Sequence, residues 1–336
     1  MLGTGTNPST RKLRLRMAVA ALAAVAFTVT GPVGLTQASD TAGSTAHVRA
    51  TKVFTLSPSP AAGNNPEGVA WDPRTKSFFV GTTGTGTIYR GTLGNRTLTP
   101  FITPSTQAPA DSAVGMKVVG GKLFVAGGPT GSIYVYKIRT RALLARFETG
   151  AGGFLNDLVV TPRGDVYVTD SFRPTLWHLT PAMVKARSGT PHGIPVGHEI
   201  KYIAGQFNLN GIVSRRGGRE LIVVQSAAQS FFRITINPKN TATRKIVMIK
   251  APALAGDGLL IDRGRLLVVV GTPAAVHVLK LSERDLRARE VKVITDPTLR
   301  GPSTIARAKD RYLVVNADFA TSRQPFTVSG LPRGHR

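Results

Sequence analysis

Asn65-Pro66-Glu67-Gly68-Val69-Ala70-Trp71-Asp72 has a counterpart five more times along the chain. The aligned steps read Val114-Gly115-Met116-Lys117-Val118, Asn156-Asp157-Leu158-Val159-Val160, Asn210-Gly211-Ile212-Val213-Ser214, Asp257-Gly258-Leu259-Leu260-Ile261 and Ser303-Thr304-Ile305-Ala306-Arg307. Successive starts lie 47, 42, 54, 47 and 46 residues apart. A period of this size marks a repeat architecture in which each unit buries its faces against its neighbours.

Every repeat continues into a second apolar run, at residues 77–81, 122–126, 165–169, 220–225, 265–270 and 311–316. Third runs follow at 87–89, 132–137, 175–179, 231–236 and 276–281. These runs are β-branched or aromatic and are bounded by turn residues, as strands are. No helical period is sustained among them; residues 181–187 alone predict a short helix, inside the long third connection. The expected fold is therefore all-β: a six-bladed β-propeller with four-stranded blades around a central channel, spanning residues 51–329. Residues 51–56 read as a strand that completes the last blade and closes the ring. Residues 39–50 and 330–336, small, polar or basic, predict a disordered linker and a disordered basic tail.

Ahead of the repeats, Arg11, Lys12, Arg14 and Arg16 precede an apolar run from Met17 to about Thr28, then Gly31-Pro32 and Thr36-Gln37-Ala38. This is the layout of a secretory signal peptide over residues 1–38, with cleavage near Ala38, and the run is short for a bilayer span. An uncleaved anchor is the competing reading. The product is expected to be secreted or extracytoplasmic and monomeric, with no transmembrane segment in the mature chain. The chain has no cysteine, which excludes thiolate chemistry and cysteine-bound metals.

Its 43 basic residues against 18 acidic give a formal charge of +25. Such an excess suits acidic envelope polymers, and export makes nucleic acid the poorest partner. The basic residues are scattered singly, which also describes a plain solvated surface.

Inner strands of a propeller run beside the axis, so their equivalent first steps become neighbours. Around the ring these are Glu67, Val114, Asn156, Asn210, Asp257 and Ser303. Four carry oxygen ligands, and two of those are carboxylates. Calcium takes hard oxygen ligands of this kind, while zinc is disfavoured because no His or Cys shares the register. Taken singly, Asn210-Gly211 and Asp257-Gly258 are ordinary turn dipeptides. Their shared register argues for a metal centre of Glu67, Asn156, Asn210 and Asp257, with Ca2+ the expected cofactor and another divalent cation the alternative.

The segments 65–72, 155–158, 209–212 and 256–262 resemble the family of regucalcin (senescence marker protein 30), gluconolactonase and luciferin-regenerating enzyme, over roughly residues 60 to 320. That resemblance implies a calcium-dependent six-bladed propeller with Glu67, Asn210 and Asp257 as metal ligands and Asn156 beside the metal, touching substrate. It implies lactonase-type hydrolysis with Asp257 as proton acceptor; Asp157 is the substitute for that role. Asn156, Asp157 and Phe154 are the expected substrate contacts at the top face. One departure stands out: the sugar lactonases carry an arginine at the position of Phe154. A non-enzymatic, calcium-stabilised propeller that binds a ligand or an envelope partner is the rival reading. There is no Gly-x-Ser-x-Gly elbow. None of the histidines is axial, and Gly81 to Gly86 reads as a hairpin turn rather than a phosphate loop.

Overall fold

In the computed structural model, which describes residues 50–104, 112–237 and 243–334, the repeats fold as successive antiparallel strands. In chain order these are β1 (Lys52–Leu56), β2 (Pro66–Asp72), β3 (Ser77–Thr82), β4 (Ile88–Thr92), β5 (Thr97–Ile102), β6 (Met116–Val119), β7 (Lys122–Ala126), β8 (Ser132–Lys137) and β9 (Leu143–Glu148). Next come β10 (Leu155–Val160), β11 (Val166–Asp170), β12 (Thr175–Leu179), helix α1 (Pro181–Ala186), β13 (His192–Pro195), β14 (Leu209–Arg215), β15 (Glu220–Gln225), β16 (Ser230–Ile236) and β17 (Thr243–Ile249). The remainder are β18 (Gly256–Asp262), β19 (Arg265–Val270), β20 (Ala275–Leu281), β21 (Ala288–Ile294), β22 (Pro302–Ala308), β23 (Arg311–Asn316) and β24 (Thr327–Pro332). Helix α1 has a reason at each end: the Thr180 hydroxyl accepts from the Met183 amide, Pro181 follows the cap, and Arg187 turns left-handed.

Four sheets have four strands each, β6 to β9, β10 to β13, β14 to β17 and β18 to β21. The other sheet has eight, in the order β2-β3-β4-β5-β1-β24-β23-β22. Its two halves join through a short parallel pairing, Thr55↔Thr97 and Leu56↔Leu98. Strand β1 pairs antiparallel with β24, so the start of the folded region is stitched to its end. The first strands, β2, β6, β10, β14, β18 and β22, each pack on the next, and β22 packs back on β2. They form a closed ring from which the sheets extend outward, the propeller arrangement expected of an all-β repeat chain.

The core lies between neighbouring sheets. Alternation along each second strand feeds both of its faces: Phe78 packs with Phe54 and Val315 on one side, and Phe79 with Phe101 and Met116 on the other. Phe54 meets Phe78 edge to face at 5.2 Å. In β15, Leu221 and Val223 face the β10 to β13 sheet, while Ile222 and Val224 face the β18 to β21 sheet. Each such side chain, when fully buried, contributes about 1.5–3 kcal/mol.

The expected tail at 330–336 needs correction. Strand β24 runs to Pro332, with Arg311↔Pro332 in register, because Val328 and Leu331 are buried apolar residues. Beyond it, Arg333 grips Asp262 with Nε–Oδ2 and Nη2–Oδ1 both at 2.6 Å, a bidentate fork. The expected signal peptide (1–38) and all of the linker except Ala50 lie outside the described residues. Among the described residues, no helix is long and apolar enough to cross a membrane.

Candidate functional site

The pairing of first and second strands slips at one shared step. It shifts between Pro66 and Val69, Leu155 and Leu158, Leu209 and Ile212, Gly256 and Leu259, and Pro302 and Ile305. A bulge frees a residue from the ladder and re-aims it. The freed pairs are Glu67-Gly68, Asn156-Asp157, Asn210-Gly211, Asp257-Gly258 and Ser303-Thr304, the register that the sequence singled out. The second member is glycine in four of the six repeats because neighbouring inner strands nearly touch there. A Cβ on Gly68 would sit 1.9 Å from the Val114 carbonyl oxygen, and one on Gly258 would sit 2.7 Å from the Thr304 Cα.

At these bulges, side chains from different sheets converge. Asp157 and Asp257 both act electrostatically on Glu67, and Asp157 acts on Asp257. Burial raises the Glu67 carboxyl well above its ordinary range, the two aspartates raise it further, and the Lys117 ammonium and the Thr304 hydroxyl offset part of this. Burial pushes Asp257 up to about 7, the Asp157 charge adds to the shift, and a hydrogen bond with the Asn210 side chain opposes it. Burial and neighbouring negative charge both favour the neutral form of such carboxyls, and a nearby positive charge favours the ionised form.

Glu67 Oε2 and Asn156 Oδ1 are buried without a hydrogen-bond partner. Their other ends are fixed: Thr304 Oγ1 lies 3.4 Å from Glu67 Oε1, and both Ser303 Oγ and Thr304 Oγ1 donate to the Glu67 carbonyl, at 2.9 and 2.6 Å. Asn156 Nδ2 donates to Ser171 Oγ at 3.0 Å, and that hydroxyl donates to the Leu209 carbonyl at 2.7 Å. The amide is thereby set with its oxygen free. A buried acceptor with no donor costs about 1–3 kcal/mol, which a bound cation would relieve. The donors present, two carboxylates and two amides, fit a hard divalent cation. No cluster of three or more His, Asp or Glu side chains placed to hold a metal occurs among the described residues.

Asp157 occupies a different place from the other acids. Its Oδ1 accepts from Lys117 Nζ at 3.0 Å and from the Leu158 amide at 2.8 Å, and its Oδ2 from the Ile212 amide at 3.3 Å. Both oxygens are occupied by protein donors, so Asp157 charges and braces the site. Phe154 packs against Phe172 and Phe207, at centroid distances of 5.7 and 5.1 Å. Val114 is a buried apolar residue of the ring, and Ser303 spends its hydroxyl on the Glu67 backbone.

The sequence reading missed Lys117, Ser171 and Thr304. Lys117 was visible as a charge inside an apolar repeat. Thr304 replaces the glycine of the register, which was a signal too. Ser171 stands just past β11, outside any repeat pattern. Of the histidines, His178 is buried, 2.8 Å from Asp165 and stacked on Tyr167, a packing role. The backbone bond from Thr82 N to Thr87 O, 3.1 Å, closes the glycine-rich stretch as a hairpin.

No family model matches the chain, and no curated protein matches it. Among solved structures it is similar to a gluconolactonase from Xanthomonas campestris, with 16% identity and a TM-score of 0.59 over 84% of this chain and 89% of that one. It is similar to the calcium-binding protein regucalcin from Agrobacterium tumefaciens, with 14% identity and a TM-score of 0.59 over 82% and 93%. Luciferin-regenerating enzyme aligns at 14% identity and a TM-score of 0.58 over 84% and 94%. These are the proteins that the motifs resembled, and at such identity the likeness is one of fold.

Proposed function

We propose that this chain is an exported hydrolase of lactones or related esters, dependent on a divalent cation, with calcium the cation that suits its donors. In this reading the fold is a six-bladed propeller whose eight-stranded sheet counts as two blades, and residues 1–38 are a signal peptide. The observation that carries the proposal is the pair of buried, unpartnered oxygens, Glu67 Oε2 and Asn156 Oδ1, beside an Asp257 carboxyl shifted to about 7. The gluconolactonases among the similar structures favour a lactone as the substrate.

Glu67, Asn156, Asn210 and Asp257 would hold the cation, which when bound polarises a carbonyl and acidifies a water. The chain's own residues supply the rest. Asp257 takes the proton of the attacking water, the role that the family resemblance gives it; a bound cation would draw its carboxyl below the metal-free value near 7 and make it a weaker base. Asn156, pinned by Ser171, orients its carbonyl toward cation and substrate. Lys117 and Asp157 fix the charge behind the site. The rival reading, a calcium-stabilised propeller that binds an acidic envelope partner, is favoured by the charge of +25.

A panel of lactones and esters, assayed with calcium and then with chelator, tests the proposal. Turnover that chelator removes and calcium restores is expected; turnover of no panel member favours the binding reading.

A further inference from the structure

Three phenylalanines stand at the strand ends that carry the candidate site. Phe154 comes two residues before Asn156, Phe172 directly follows Ser171, and Phe207 comes three residues before Asn210. Their rings form a closed triangle, with Phe154–Phe172 at 5.7 Å, Phe154–Phe207 at 5.1 Å and Phe172–Phe207 at 5.1 Å. Phe172 is 40% exposed and Phe207 36%, over a Phe154 that is 9% exposed.

The triangle is held from below. Asp170, fully buried, accepts with one oxygen from the backbone amides of Phe154, Phe172 and Arg173, at 2.9, 3.1 and 3.0 Å. Asn208, also buried, ties the loop that bears Phe207 through the Ile203 amide at 2.8 Å, the Gln206 carbonyl at 2.8 Å and Gln225 Nε2 at 2.9 Å. Rings on rigid backbones lose little entropy when a ligand covers them. The cation next in sequence, Arg173, is committed elsewhere: Nε to Asp170 Oδ2 at 2.7 Å, and Nη1 and Nη2 to Thr149 at 2.8 Å. It is not free to meet a ligand's hydroxyls or carboxylate.

We infer that these rings form an apolar subsite continuous with the candidate metal donors, and that it takes the alkyl or aryl portion of the substrate. The substrate class is then lactones or esters with an apolar substituent rather than polyhydroxylated sugar lactones. Naming a lactone rests on the hydrolase reading above; the subsite itself does not depend on turnover.

The test uses the full mature chain in calcium and two readouts. The first is calorimetric binding of lactams, which mimic lactones and are not turned over: a series with alkyl substituents of increasing length, and the lactam of gluconic acid. The second is hydrolysis of the matching alkyl lactones and of glucono-δ-lactone. Affinity is expected to rise about fourfold for each methylene that the rings cover, the factor equivalent to about 0.8 kcal/mol. Phe172→Ala with Phe207→Ala should flatten that rise. Each single variant, which trims a partly exposed ring, should remove a part of it.

Gluconolactam binding as tightly as the long-chain lactams, or a chain-length gain that survives the double variant, overturns the subsite. Ring-sensitive lactam binding without turnover of any lactone sinks the hydrolase reading and leaves the subsite standing. Turnover of glucono-δ-lactone indifferent to ring removal, with no alkyl preference, does the reverse.

Discussion

The inner strands carry two linings, and the contrast between them says where the chemistry lies. Farther along the same strands, Val69, Val159, Ile212, Leu259 and Ile305 line a central cavity of about 420 Å³. Its two cations are already paired, Lys117 with Asp157 at 3.0 Å and Arg307 with Asp262 at 3.4 Å. That end satisfies itself. At the bulges, Glu67 Oε2 and Asn156 Oδ1 have no donor, and two carboxyls are raised by burial. The first lining is apolar with its cations paired, while the second holds buried acceptors without a donor.

The difference can be strained at each end. The largest effect is expected at the boundary, from Gly68→Ala. Its Cβ would overlap a backbone carbonyl at 1.9 Å, so chemical denaturation should show a loss of about 3 kcal/mol together with loss of any calcium response. Wild-type stability in this variant would mean that the inner strands do not approach as described. At the apolar end, Val213 lines the cavity and packs with Ile222 and Leu259, so Val213→Ala should cost about 2 kcal/mol in the same experiment and leave the calcium response intact. A Val213→Ala protein that no longer responds to calcium would erase the distinction between the two ends.

A pH dependence comparable in size to the Val213→Ala cost is also expected. A carboxyl whose pKa is raised by folding binds its proton more tightly folded than unfolded. Stability from such a group is complete below the unfolded value of about 4 and is lost as pH rises through about 7. Metal-free protein should therefore lose about 2 kcal/mol between pH 5 and pH 8, read as a falling melting temperature, and calcium should cancel the loss. A metal-free melting temperature that rises over this interval would contradict the raised carboxyls of Glu67 and Asp257.

The repeat and its register were legible because bulge, glycine and polar residue recur at the same step. First and second strands followed from apolar runs with two buried faces. The outer fourth strands were not legible. Strand β21, Ala288–Ile294, is exposed along most of its length and is held by its ladder to β20, so its composition carries no burial pattern. The end of the fold was misjudged for a related reason: Arg333 looks like a solvated tail residue until Asp262 is placed beside it. Within the site, the shared bulge step of Glu67, Asn156, Asn210 and Asp257 was readable from spacing alone. The occupation of Asp157 by Lys117 and two amides was not, since those donors come from three different sheets. The ring triangle was equally hidden, because Phe154, Phe172 and Phe207 sit on three separate connections.

The central claim, a divalent-cation site at the bulges of the inner strands, is tested most directly by thermal melts of the mature protein across a calcium titration, beside the Glu67→Gln, Asp257→Asn double variant. The account predicts a melting temperature that climbs with calcium in the wild type and stays flat in the variant. A wild-type midpoint that calcium does not move, or a variant that gains as much as the wild type, would contradict it.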